Sequence, residues 1–195
     1  MKKFLVAALL LGPLAAFAVE SPVILTSCTA CHGQSGFSSN PLWPNLAGQH
    51  TSYFVHQMRE FKKGSLRNSP VMKALSAALT DKEIKELADF YAKQPIPKGS
   101  TPEKFLKRGE LLYRGGDFAK HITACIACHG PQGTGNAQAG FPVISGQHAL
   151  YTIQQLNDFK NGKRSNDLNS IMRDISSRMS QEDMEAVAYY IQGLH

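Results

Sequence analysis

The pentapeptide Cys-x-x-Cys-His occurs twice, as Cys28 to His32 and as Cys125 to His129, and the two copies use all four cysteines of the 195-residue chain. Each copy sits in a longer repeat. "PNLAGQHTSYFVHQMREFKKG" from Pro44 returns as "PVISGQHALYTIQQLNDFKNG" from Pro142. Gly48, Gln49, His50, Tyr53, Gln57, Phe61, Lys62 and Gly64 thus reappear as Gly146, Gln147, His148, Tyr151, Gln155, Phe159, Lys160 and Gly162. Further on, "VMKALSAALTDKEIKELADFY" matches "IMRDISSRMSQEDMEAVAYYI". A duplication is a strong constraint, because one fold must suit both copies. The unit is about 80–90 residues, an ordinary small domain.

The join lies in "KQPIPKGSTPE", Lys93 to Glu103, whose prolines, glycine and polar residues mark a linker. The expected organisation is a domain over residues 19–94, a linker over 95–103 and a second domain over 104–195. Each half reads as helical. Thr80 with Glu83, and Ser180 with Asp183, spell capping boxes or close variants. Behind them Ile84, Leu87, Ala88 and Tyr91 recur at helical spacing, as do Met184, Val187, Ala188 and Ile191. The segments after Gln49 and Gln147 follow a helical pattern that stops at Gly64 and Gly162, suited to left-handed helix ends. Thr101-Pro102 suits the start of a helix. No run alternates as strands do, so the expected fold class is all-α.

The first residues, "MKKFLVAALLLGPLAAFA", have a basic start, a short apolar run and small residues at Ala16 and Ala18. That is a secretory signal over residues 1–18, with cleavage expected after Ala18. The run is too short for a bilayer span, which takes about 20 residues, and Pro13 interrupts it. Export implies an oxidising compartment, a bacterial periplasm, where free cysteine pairs tend to oxidise. The net charge of +6 falls to +4 without Lys2 and Lys3. With no long basic run, nucleic acid is not an expected partner.

Three chemistries compete for the cysteines. A redox dithiol belongs near a βαβ pattern, which is absent. A zinc site could take both Cys-x-x-Cys pairs. Neither requires a histidine after each pair. Covalent haem does: two thiols add to the haem vinyl groups and the next histidine ligates the iron. The expected cofactors are therefore two covalently bound haem c groups, on Cys28 and Cys31 and on Cys125 and Cys128, with His32 and His129 as iron ligands. For the sixth position, Met72 and Met172 face each other across the repeat, in segments that read as irregular. Met58, Met179 and Met184 align with Leu156, Leu79 and Ile84, as core residues would. His50 and His148 also pair across the repeat and stand as rival ligands. The carbonyls of Pro44 and Pro142 are candidate acceptors for the second nitrogen of each histidine, unless these prolines only shape their loops. Lys62, Lys63 and Arg67, with Lys160, Lys163 and Arg164, could meet haem carboxylates or an acidic partner, or form a solvated charged face.

These residues resemble the di-haem cytochromes c4. The resemblance rests on the two pentapeptides, on "LAGQHTSY" and "ISGQHALY", on "FKKG" and "FKNGKRSND", and on the methionines before "ALTDKEIKELADFY" and "RMSQEDMEAVAYY". It implies two tandem class I cytochrome c domains, His–Met ligation at both irons through His32, Met72, His129 and Met172, and single-electron carriage in the periplasm with no catalysis of its own. Expected partners are a redox protein donor and acceptor, such as a membrane-bound quinol-oxidising complex and a terminal oxidase, with peripheral membrane association. The rival role is a di-haem subunit of a periplasmic oxidoreductase, such as a flavoprotein sulfide dehydrogenase. One departure stands out. The second half opens with "PEKFLKRGELLYRGG", a helix with Gly109 placed for close contact with the final helix. The first half has only "VESPVILTS", about one or two turns if helical, and is expected to cover its haem less well.

Overall fold

Two amphipathic helices, one per repeat, set the frame: α2 over Thr51–Lys63 and α7 over Ala149–Lys160. Both start directly after the Gly-Gln-His step. Gly64 and Gly162 follow them with φ of 73° and 70°, where a side chain would be strained. The structure, a computed structural model, describes residues 23–195. The expected signal segment lies outside the described residues.

The remaining elements follow in chain order. A 3-10 turn over Val23–Leu25 runs into α1, Thr26–His32, which carries the first pentapeptide. After α2 come α3, Pro70–Ala77, and α4, Asp81–Ala92. The second half opens with α5, Glu103–Gly115, before the short α6, Ile126–His129. It ends with α8, Ile171–Ser177, and α9, Gln181–Gly193. Both capping boxes form, Thr80 with Glu83 and Ser180 with Asp183. Pro102 stands just before α5 instead of in its first turn, and the Thr101 hydroxyl bonds the Tyr189 carbonyl, tying the linker to α9. Among the described residues there is no strand, only isolated bridges, so the fold is all-α: two helical units related by internal duplication.

Each half has its own core. In the first, Leu25, Phe54, Met58, Leu79, Ile84, Leu87 and Tyr91 pack together. In the second, Leu112, Tyr113, Leu156, Met179, Met184, Val187 and Ile191 do so. Met58, Met179 and Met184 are buried, as their alignment with aliphatic residues implies. The halves differ where the sequence departs from symmetry. α5 crosses α9 so closely at Gly109 that a Cβ there would overlap the Ala186 carbonyl and the Tyr190 side chain. The described part of the first half's leading segment is one 3-10 turn, with Leu25 buried against the core.

Candidate functional site

Each pentapeptide winds into a short helix that ends at its histidine. A glycine follows at once, Gly33 or Gly130, with φ of 75° or 77°. The chain there reverses, and the next loop returns a carbonyl to the histidine. His32 Nδ1 donates to the Pro44 carbonyl at 2.9 Å, and His129 Nδ1 donates to the Pro142 carbonyl at 3.0 Å. These bonds fix both ring planes and leave Nε2 as the ligating nitrogen. Both rings are 8% exposed. Burial lowers both histidine pKa values, which the proline carbonyls partly oppose, so the rings stay neutral and able to bind metal.

None of the four cysteines is in a disulfide, and all four are half-buried beside these histidines. Burial pushes the Cys125 thiol up to about 12 and raises that of Cys28 as well. Among the described residues no three His, Cys, Asp or Glu side chains gather as a metal site, so the two cysteine pairs do not converge on a shared zinc. A fully buried tyrosine stands near the first cysteine of each half, Tyr91 from α4 and Tyr113 from α5. Tyr113 bonds the Gly130 carbonyl at 2.6 Å. The sequence pattern does not flag this pair, because the two tyrosines come from non-equivalent helices.

Met72 and Met172 sit in first turns, of α3 and α8, and not in irregular chain. Ser69 caps α3 and Pro70 opens it. Between the helix-ending glycine and the methionine the second half has two extra residues, and Asn169 and Ser170 take left-handed backbone there. The Asp167 carboxylate closes that loop on Arg173. Both methionines are half-buried against the core of their own half. The rival histidines lie elsewhere. His148 Nε2 bonds the Ser38 carbonyl of the other half at 2.9 Å, whereas the Nε2 of its repeat equivalent, His50, is buried without a hydrogen-bond partner among the described residues.

The basic residues divide. Lys62 and Lys160 are engaged structurally, on the carbonyls of Leu79 and Met179 at 2.7 and 2.6 Å. Lys63 pairs with Glu60. Arg67 and Arg164, 8% and 6% exposed, face each other across an antiparallel bridge between the halves. Each donates across it at 2.7 Å, Arg67 to the Tyr151 hydroxyl and Arg164 to that of Tyr53. Gln57 and Gln155 supply further acceptors. Burial and the like charge of Arg164 press the Arg67 guanidinium down. Among the described residues no carboxylate forms an ion pair with either arginine. Two buried cations whose direct hydrogen bonds go to neutral groups, with Asp158 and Asp167 as the nearby charges, suit the carboxylates that haem carries. With thiols and oriented imidazoles in each half, the donor set fits two haem c groups.

The Cytochrome c family pattern matches residues 112–195. "Cytochrome c4" of Thiocapsa roseopersicina is 44% identical over 168 residues, 86% of each chain. The crystal structure of reduced recombinant cytochrome c4 from Pseudomonas stutzeri superposes with a TM-score of 0.84 at 39% identity, covering 88% of this chain and 95% of that one. "Thiosulfate dehydrogenase electron acceptor" of Thiomonas intermedia is 36% identical, covering 88% of this chain and 80% of its own. With its doubled pentapeptide, its two helical cores and these likenesses, the chain belongs to the cytochrome c4 family: a di-haem c-type cytochrome that transfers electrons between redox proteins and is not itself an enzyme.

Proposed function

We propose that the protein works in the bacterial periplasm as a carrier of single electrons between partners of a respiratory chain. Residues 1–18 act as the signal, 19–94 and 104–195 as the two haem domains, and 95–103 as their linker. Cys28 and Cys31, and Cys125 and Cys128, form the thioethers. His32 with Met72, and His129 with Met172, are the axial pairs. The matched bonds from His32 to Pro44 and from His129 to Pro142 carry this reading, because they orient an imidazole nitrogen identically in both halves. The repeat-equivalent, half-buried positions of Met72 and Met172 support the sixth ligand. The engagement of His148 across the joint speaks against the histidine alternative.

When bound, haem supplies a one-electron ferric–ferrous couple. The chain holds the histidines by their carbonyl bonds, sets Met72 and Met172 against apolar cores and would counter haem carboxylates with Arg67 and Arg164. A membrane-bound quinol-oxidising complex as donor, a terminal oxidase as acceptor and peripheral membrane association complete the reading. The relative that accepts electrons from thiosulfate dehydrogenase favours a second role, as a di-haem subunit tied to a periplasmic oxidoreductase. Gel filtration of solubilised membranes separates the two roles: a carrier elutes alone, a subunit with its enzyme.

Intact mass of the periplasmic protein should give a chain beginning at Val19 plus two haems. Met72→Ala and Met172→Ala should each abolish the sulfur-to-iron absorption of one haem and lower its potential. His50→Ala and His148→Ala should leave both signals. Loss of a ligand signal in either histidine variant reverses the assignment.

A further inference from the structure

The loops that orient the two histidines are each gripped by the opposite half. The Pro44 carbonyl, which accepts from His32, belongs to the peptide between Pro44 and Asn45. The N–H of that same peptide donates to Gln147 Oε1 at 2.9 Å, and Gln147 Nε2 donates back to the Asn45 carbonyl at 3.0 Å. The second half mirrors this. The peptide between Pro142 and Val143 accepts from His129 through its carbonyl. Its N–H donates to Gln49 Oε1 at 3.1 Å, and Gln49 Nε2 donates to the Val143 carbonyl at 2.9 Å. Gln49 and Gln147 are repeat equivalents. Each also accepts the N–H of its own following histidine at 3.0 Å, which anchors the side chain.

We propose that Gln147 is a positioning residue for His32 and Gln49 for His129, so that each half tunes the iron of the other through a single peptide group. The proposal rests on the reading of His32 and His129 as axial ligands. A peptide is one delocalised dipole, and donation from its N–H shifts negative charge onto its carbonyl. A more negative carbonyl draws harder on the Nδ1 proton, which stays on the ring. Nε2 then becomes the stronger electron donor and favours ferric iron. The glutamines also fix the peptide plane, and with it the imidazole. Adhesion between the halves alone would act on both irons together. A relay acts on one, and on the one in the other half.

The test uses the holoprotein with isosteric apolar replacements, Gln147→Met and Gln49→Met. Redox titration followed by NMR reads each haem through the methyl signal of Met72 or Met172. In Gln147→Met the haem on Cys28 and Cys31 should shift toward ferrous by roughly threefold, or about 30 mV at about 59 mV per tenfold. The His32 Nδ1–H resonance should move upfield, while the other haem and His129 stay in place. Gln49→Met should do the converse. His148→Ala removes another bond across the joint but spares both relays, and should move neither potential. Shifts in the variant's own half, equal shifts of both haems, or no shift in either variant overturn the proposal. Absence of iron-bound Met72 and Met172 or of ligating His32 and His129 in the unaltered protein would instead overturn the ligand assignment, and the relay with it. Intact ligand signals without the crossed shift would overturn the relay alone.

Discussion

Asp183 is 2% exposed, and its carboxylate accepts from Lys120 Nζ at 2.6 Å, from Arg108 Nε at 3.0 Å and from the Ser180 N–H at 3.0 Å. Burial alone would raise its pKa, but Lys120, Arg108 and the Ser180 cap hold it well below the usual carboxylate range. The sign follows by linkage. A depressed folded pKa means stability that is fully present above the unfolded value of about 3.9 and is lost as pH falls below it. Asp183→Asn should therefore destabilise the second half by about 2 kcal/mol at neutral pH, since Lys120 loses its anion and Arg108 keeps only Asp117. It should also flatten the acid end of the stability profile, as read by circular dichroism on denaturant titration at several pH values. The same cap in the first half, Glu83, is half-buried and, among the described residues, lacks close cations like those on Asp183, and Glu83→Gln should do far less. Ser180 and Asp183 were legible as a capping box because the spacing is local. Arg108 and Lys120 were not, because their approach to Asp183 depends on α5 meeting α9.

The helices show the same division between local and long-range information. α2, α4, α7 and α9 announce themselves through spacing, caps and terminal glycines. α3 and α8, of eight and seven residues, are too short to carry a period, and their segments read as irregular. The Ser69 cap and Pro70 were the available signal for α3. The close crossing of α5 on α9 was readable from Gly109, and it has a direct consequence. Gly109→Ala must push the two helices apart or distort them, at a cost of about 1–3 kcal/mol. Thermal unfolding followed through the separate Met72 and Met172 signals should show the second half melting earlier and the first half unchanged. Equal melting of both halves would mean that the crossing carries the joint as well.

At the scale of the molecule, the duplication was plain in the sequence but the joint was not. Repeat equivalence pairs Gln49 with Gln147, and Arg67 and Arg164 stand shortly after the equivalent glycines Gly64 and Gly162, yet nothing in that placement says that these residues face each other. The sequence leaves the basic residues open between haem carboxylates, an acidic partner and a solvated face, and two of them, Arg67 and Arg164, are buried between the halves. Across this joint the two halves share the histidine-to-carbonyl bonds and the glutamine bonds to the same peptides. Their covers differ. The second pentapeptide lies behind the thirteen residues of α5 and a turn closed by the bridge between Asp117 and Ile122, and burial drives Cys125 up to about 12. Among the described residues the first lies behind one 3-10 turn, Val23–Leu25. Water favours the more charged iron–porphyrin state, and ferric iron carries the extra positive charge. Thinner cover therefore stabilises the ferric form and lowers the potential. The haem on Cys28 and Cys31 should be the lower of the two, by tens of millivolts, and should oxidise first in a redox titration that follows the Met72 and Met172 methyl signals separately. The crossed glutamines act alike on both sites and do not mask this difference. Exposure does not set the order if the haem ligated by Met172 oxidises first.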